Sequence, residues 1–166
     1  MNFSKTPFII FLSVIAISLY LSFYYYSNLP DRAAIHFNIY GEVESYSEKE
    51  VLLIINLIVV SLIGALFYLV GKYIHKIPAN LLNLPNKDFW LKLEHKEFAL
   101  NKTKNTGYFF GSATLLYFDV MLYEIYRANL LPNPKLSSLS YISLIFYIFV
   151  STFILIKFYK DFKIPE

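Results

Sequence analysis

The chain contains no cysteine. Disulfide bridges and thiolate metal sites are therefore excluded. Histidine is scarce as well, and His36 is separated from His75 and His95 by an apolar run long enough to cross a bilayer. One three-histidine metal site cannot be assembled from such positions. There is no His-Glu-x-x-His, no phosphate-binding glycine loop and no Gly-x-Ser-x-Gly. The expectation is a non-enzymatic protein with no cofactor and no bound metal. Charged residues make up only 16% and the net charge is +3. Nothing in that balance calls for nucleic acid.

What is present in excess is apolar. The chain is 57% hydrophobic and 19% aromatic, with a mean hydropathy of +0.48. A soluble domain runs at about 45–50% apolar. A transmembrane helix needs roughly 20 mostly apolar residues, and four windows meet or approach that: 7–26, 51–71, 107–126 and 139–156. The first exceeds the ~7–15 apolar residues of a signal peptide and has no small-x-small cleavage site before Pro30, so it reads as a retained anchor. The expected fold class is an all-α integral membrane protein. It is a four-helix transmembrane bundle in one membrane domain over residues 1–166.

Lys and Arg fix the expected orientation. The N-terminal segment, the 72–106 segment and the C-terminal segment carry eleven of them; the segments 28–50 and 127–138 carry four. Both termini and 72–106 are then cytoplasmic, and 28–50 is an outer loop. The seven lysines of 72–106 follow from topology and anionic lipid, without RNA. Tyr24, Tyr25 and Tyr26 fall at the outer end of the first window, where an aromatic belt is expected.

The outer loop is patterned. Pro30 ends the first helix. Ile35, Phe37 and Ile39 alternate with His36, Asn38 and Tyr40, which predicts a short strand with one apolar face. Gly41 ends it, being the residue that accepts a positive φ. Ser47-Glu48-Lys49-Glu50 before an apolar run fits a capping box. The loop thus predicts a small cap of strand and turn. His36 and Asn38 are expected to organise it over the third helix, with Asp119 and Glu124 as hydrogen-bond partners.

Asp119 and Glu124 are the acids of the third window. Ionisable groups in a bilayer are costly and face the bundle interior. They read as structural, paired to Arg32, Arg127 or Tyr123, with an ion or proton site as the other reading. Gly107 and Gly111 form a small-xxx-small match for close packing against a helix of the same chain or of a second copy. On the cytoplasmic side, Asn83, Pro85, Asn86 and Lys87 make a turn that should seat Phe89 and Trp90, the single tryptophan, at the inner lipid interface.

Leu29-Pro30-Asp31, His36-Phe37-Asn38, Gly41, Glu44, Tyr46 and Lys49 resemble the bacterial membrane family known as domain of unknown function 1648. Its pattern has Pro where this chain has Ala34 and Asp where it has Glu44. The block from Asn83 to Trp90 also looks like the Asn-x-Pro-Asn-Lys-x-aromatic-Trp segment of such proteins. The resemblance extends to SdpI-like immunity and signalling proteins. It implies a bacterial cytoplasmic-membrane protein whose outer loop binds an extracytoplasmic peptide or toxin. Two other readings stand beside it. One is an accessory or oligomeric transport subunit using Asp119 and Glu124; the other is a purely structural membrane protein.

Overall fold

The computed structural model describes residues 5–164, apart from the side chain of Asn80. Four long helices run up, down, up and down. They are α1 (Thr6–Asn28), α2 (Lys49–Tyr73), α4 (Leu93–Asn129) and α5 (Ser138–Asp161). Between α1 and α2 lie two strands, β1 (Arg32–Phe37) and β2 (Val43–Glu48). Between α2 and α4 come two single 3-10 turns, Ile74–Lys76 and Ala79–Leu81, and the short helix α3 (Lys87–Trp90).

α4 is the centre of the bundle and packs against each of the other three long helices. At 37 residues it is about 55 Å long at 1.5 Å per residue. α1, α5 and the run Lys49–Lys76 are each long and apolar enough to cross a membrane. The expected fourth span, 107–126, is helical, yet its composition does not mark it as a crossing. A helix surrounded by protein can carry Asp119 and Glu124, both buried, whereas the helices around it present Leu, Ile and Phe outward.

Three apolar clusters follow the bundle axis. Leu29, Ala33, Leu52 and Leu122 lie under the strands. Phe11, Val14, Val60, Tyr108 and Leu115 fill the middle. Gly107 and Gly111 serve this layer: a Cβ on Gly111 would sit 2.7 Å from Phe67 and 2.9 Å from Phe11. Within the chain, the pair meets Phe67 of α2 and Phe11 of α1.

The third cluster corrects the expectation for Trp90. Its ring is buried with Ile74, Leu82, Leu84, Leu100 and Phe162 rather than placed at lipid. The cause is the end of α5, whose last carbonyls have no helical partner. The Phe162 carbonyl accepts from Trp90 Nε1 and from Asn86 Nδ2, both at 2.8 Å. Asn86 takes a left-handed conformation (φ 51°) to make that reach.

The outer loop is also more ordered than strand and turn. β1 and β2 form an antiparallel hairpin, with Arg32 opposite Glu48, Ala34 opposite Tyr46 and Phe37 opposite Val43. Register shifts on either side of His36 interrupt the pairing of β1 with β2, while exposed His36 still alternates with half-buried Ile35 and Phe37. Ser47 belongs to β2 and the cap position of α2 falls on Glu48 with no side-chain cap bond, so the capping box is not formed. Glu50 instead accepts from the Tyr26 hydroxyl at 3.0 Å.

Candidate functional site

The hairpin carries most of the candidate site residues of the outer loop, and Asn38 builds its turn. The Asn38 side-chain oxygen accepts from the amides of Tyr40 (2.9 Å) and Glu42 (3.0 Å). Its own backbone amide donates to the Glu42 carbonyl at 2.8 Å. Gly41 has φ +75°, the conformation its lack of Cβ permits. Its carbonyl accepts from the Leu136 amide at 2.9 Å, and Glu42 bridges Lys135 beside it. The α4–α5 connection therefore pairs with the hairpin tip.

The rest of the hairpin is fastened to the helices. Asn129, at the end of α4, takes both backbone groups of Ala34: its Oδ1 accepts from the amide at 2.7 Å, and its Nδ2 donates to the carbonyl at 3.0 Å. The Tyr141 hydroxyl of α5 donates to the Ile39 carbonyl at 2.6 Å. Lys49 Nζ donates to Asp31 at 2.8 Å and closes the hairpin base. That hydrogen bond and the lysine charge hold the Asp31 carboxyl below the usual carboxylate range.

This frame leaves a defined face open. Ile39 and Tyr40 at the tip are 79% and 70% exposed. On β2 the exposed residues are Glu44, Tyr46 and Glu48, alternating with half-buried Val43, Ser45 and Ser47. The result is an aromatic and acidic surface on a braced backbone.

His36 does not do what the sequence suggested. Its side chain is exposed and contacts neither Asp119 nor Glu124 by hydrogen bond. It lines a recess of about 320 Å³ between the hairpin, α2 and α4, together with Leu52, Asn56 and Met121. Both acids are taken elsewhere. Glu124 is fully buried and accepts from Arg127 Nε (3.0 Å) and from the Ser137 amide (2.9 Å) and hydroxyl (2.6 Å). It thereby ties α4 to the start of α5. Of the partners weighed for it, Arg127 is the one it meets.

Asp119 lies deeper. It accepts from Ser18 Oγ of α1 at 2.9 Å. Ser22 Oγ donates to the Ser18 carbonyl at 2.6 Å, and Asn56 Nδ2 of α2 donates to Ser22 Oγ at 2.6 Å. A buried polar string thus crosses three helices from the recess beside His36 to Asp119. Sequence reading missed Ser18, Ser22, Asn56 and Asn129. A single Asn inside the apolar run of α2 and two serines one turn apart on α1 were the available signals for the first three. Asn129 carries none, because its partner is 95 residues away.

The cytoplasmic block divides. Trp90 and Asn86 meet at Phe162, Pro85 and Lys87 are half-buried beside them, and Asn83 is exposed. No group of three or more His, Asp or Glu is placed to hold a metal ion among the described residues.

No curated protein and no solved structure matches the chain. Over residues 13–60, which run from α1 through the whole hairpin into α2, the chain is similar to the family described as Domain of unknown function (DUF1648).

Proposed function

We propose that the protein is a non-enzymatic, multi-pass protein of a bacterial cytoplasmic membrane, whose hairpin binds an extracytoplasmic peptide or toxin. Both termini are cytoplasmic in this reading, and α4 makes the fourth crossing in the shelter of α1, α2 and α5. The basic residues favour that orientation. One observation carries the function: the hairpin backbone is fixed by Asn129, Tyr141 and Leu136 while Ile39 and Tyr40 stay in solvent. Holding large apolar groups exposed on a rigid frame lowers the ordering cost of binding. Glu44 and Glu48 make no ion pair among the described residues and suit a cationic peptide. The immunity or signalling role of SdpI-like proteins, which the loop motif resembles, is a job that such a surface would suit.

The test compares cells lacking the gene with cells carrying Tyr40→Asp or Ile39→Asp. Each is challenged with a panel of cationic amphipathic peptide toxins. Deletion and both variants should raise sensitivity to the same members. Unchanged sensitivity across a broad panel refutes the reading.

The polar string favours a second reading, an accessory or oligomeric transport subunit that uses Asp119. Glu124 is spent on α5 and fits a structural role. Asp119→Asn should then abolish activity with expression and melting intact. Loss of folding instead assigns Asp119 to the architecture.

A further inference from the structure

Lys5 stands just before α1, Lys72 in the last turns of α2, and Lys104 about three turns into α4. At the end of the bundle away from the hairpin these three surround one recess of about 570 Å³. His75 stands at its rim, and the rings of Tyr68 and Tyr108 line it. No carboxylate lines it. Among the described residues, Lys5, Lys72 and Lys104 make no ion pair. Lys104 Nζ donates to the neutral Asn101 side chain at 2.7 Å. Lys72 Nζ lies over the rings of Tyr68 and Tyr73, 5.6 and 5.4 Å from their centroids. Three lysines thus line one recess with no carboxylate bonded to any of them among the described residues; Glu97 stands outside the lining, 3.9 Å from His75 and bonded to Asn101.

Tyr68 also lines a second cavity, a furrow of about 360 Å³ along the outside of α1 and α2. Leu12, Ile15 and Leu19 form one wall, and Ser61, Gly64 and Ala65 form the other. The small residues give the furrow its depth: Gly64 is so close to α1 that a Cβ there would sit 3.3 Å from Ile15. From Val60 to Tyr68 the furrow runs about 12 Å at 1.5 Å per residue. Both helices that form it are apolar enough to cross a membrane, so it opens toward lipid.

We propose that this recess and furrow together bind one anionic phospholipid. Its phosphate-bearing headgroup sits among Lys5, Lys72 and Lys104, and the first part of an acyl chain lies along α1 and α2. Basic recesses between membrane helices recognise such headgroups. A soluble phosphate would occupy the recess alone; the furrow that adjoins it at Tyr68 is what selects a lipid.

Native mass spectrometry of the full chain tests this. The protein is titrated separately with phosphatidylglycerol, with phosphatidylcholine of the same chains, and with inorganic phosphate. One phosphatidylglycerol should bind before phosphatidylcholine does. Each Lys→Gln change should weaken it roughly fivefold, and the triple variant on the order of a hundredfold, at about 1 kcal/mol per lysine. Ser61→Phe, at an exposed position, should block the furrow. It should weaken phosphatidylglycerol while leaving inorganic phosphate unchanged. Lys72→Arg should bind as wild type. If the triple variant does not fold, Lys72→Gln and Ser61→Phe carry the test alone. Equal binding of both lipids, or no effect of the lysine changes, overturns the proposal. Full competition by inorganic phosphate with no effect of Ser61→Phe overturns it in favour of a free-anion site.

Discussion

Gly41 holds the hairpin tip with φ +75° while a Cβ there would stand 3.1 Å from the Leu136 carbonyl. Gly41→Ala therefore adds backbone strain and crowding at one point, with an expected cost of ~1–3 kcal/mol. Thermal unfolding in detergent should show the loss, and an unchanged midpoint would mean that the tip is not held by Leu136. Gly41 was legible as the end of the strand, because a positive φ is a local reason for its place; Asn38, expected on the strand with Asp119 and Glu124 as partners, instead accepts from the amides of Tyr40 and Glu42. His36 was not legible either. Its expected partners were inferred from depth along the third helix, but Asp119 and Glu124 had nearer donors in Ser18, Arg127 and Ser137. The alternation along β1 itself holds there, with His36 exposed between half-buried Ile35 and Phe37; the register shift beside it is what the sequence did not show.

At the scale of elements, the hairpin depends on a base pair of charges and on one amide. Asp31 is ionised at a lower pH when folded than when unfolded, because Lys49 stabilises the carboxylate. Its contribution is thus fully present above the unfolded carboxyl range, near pH 4, and disappears as pH falls through the lower folded value. The melting difference between wild type and Asp31→Asn should be steady from neutral pH to about pH 5 and shrink progressively as pH falls through about 4 and below. A difference that grows on acidification would contradict the pairing. Asn129→Ala removes both bonds to the buried Ala34 backbone, at about 1–3 kcal/mol for each group left unpaired. Amide exchange should accelerate over residues 32–48 while the middle of α4 stays protected. β2 escaped the sequence reading because Val-Glu-Ser-Tyr-Ser-Glu is one-third charged and ends on residues that also spell a helix cap. Pairing with β1, a non-local contact, decided between the two.

For the whole molecule, the apolar windows located α1, α2 and α5, since water exclusion acts on composition directly. α4 was harder: its place at the centre lets neighbours cover polar groups, so its sequence carries less of the signal. Trp90 was misplaced for a related reason, as its burial depends on Phe162, 72 residues further on. Orientation is the next quantity to measure. The absence of native cysteine makes single labels clean. Ser45→Cys should react with a membrane-impermeant thiol reagent on intact cells, and Lys92→Cys only after permeabilisation. The reverse pattern would invert the protein in the membrane.

The seal on the far end of the bundle also sets an order of events during biosynthesis. Asn86 and Trp90 are made well before the carbonyl they share at Phe162. At about 5–20 residues per second, the ribosome needs roughly 4–14 s to supply that acceptor. During this interval the indole and the surrounding leucines have no closing partner, so nascent chains at this stage should be the form that chaperones and membrane proteases engage.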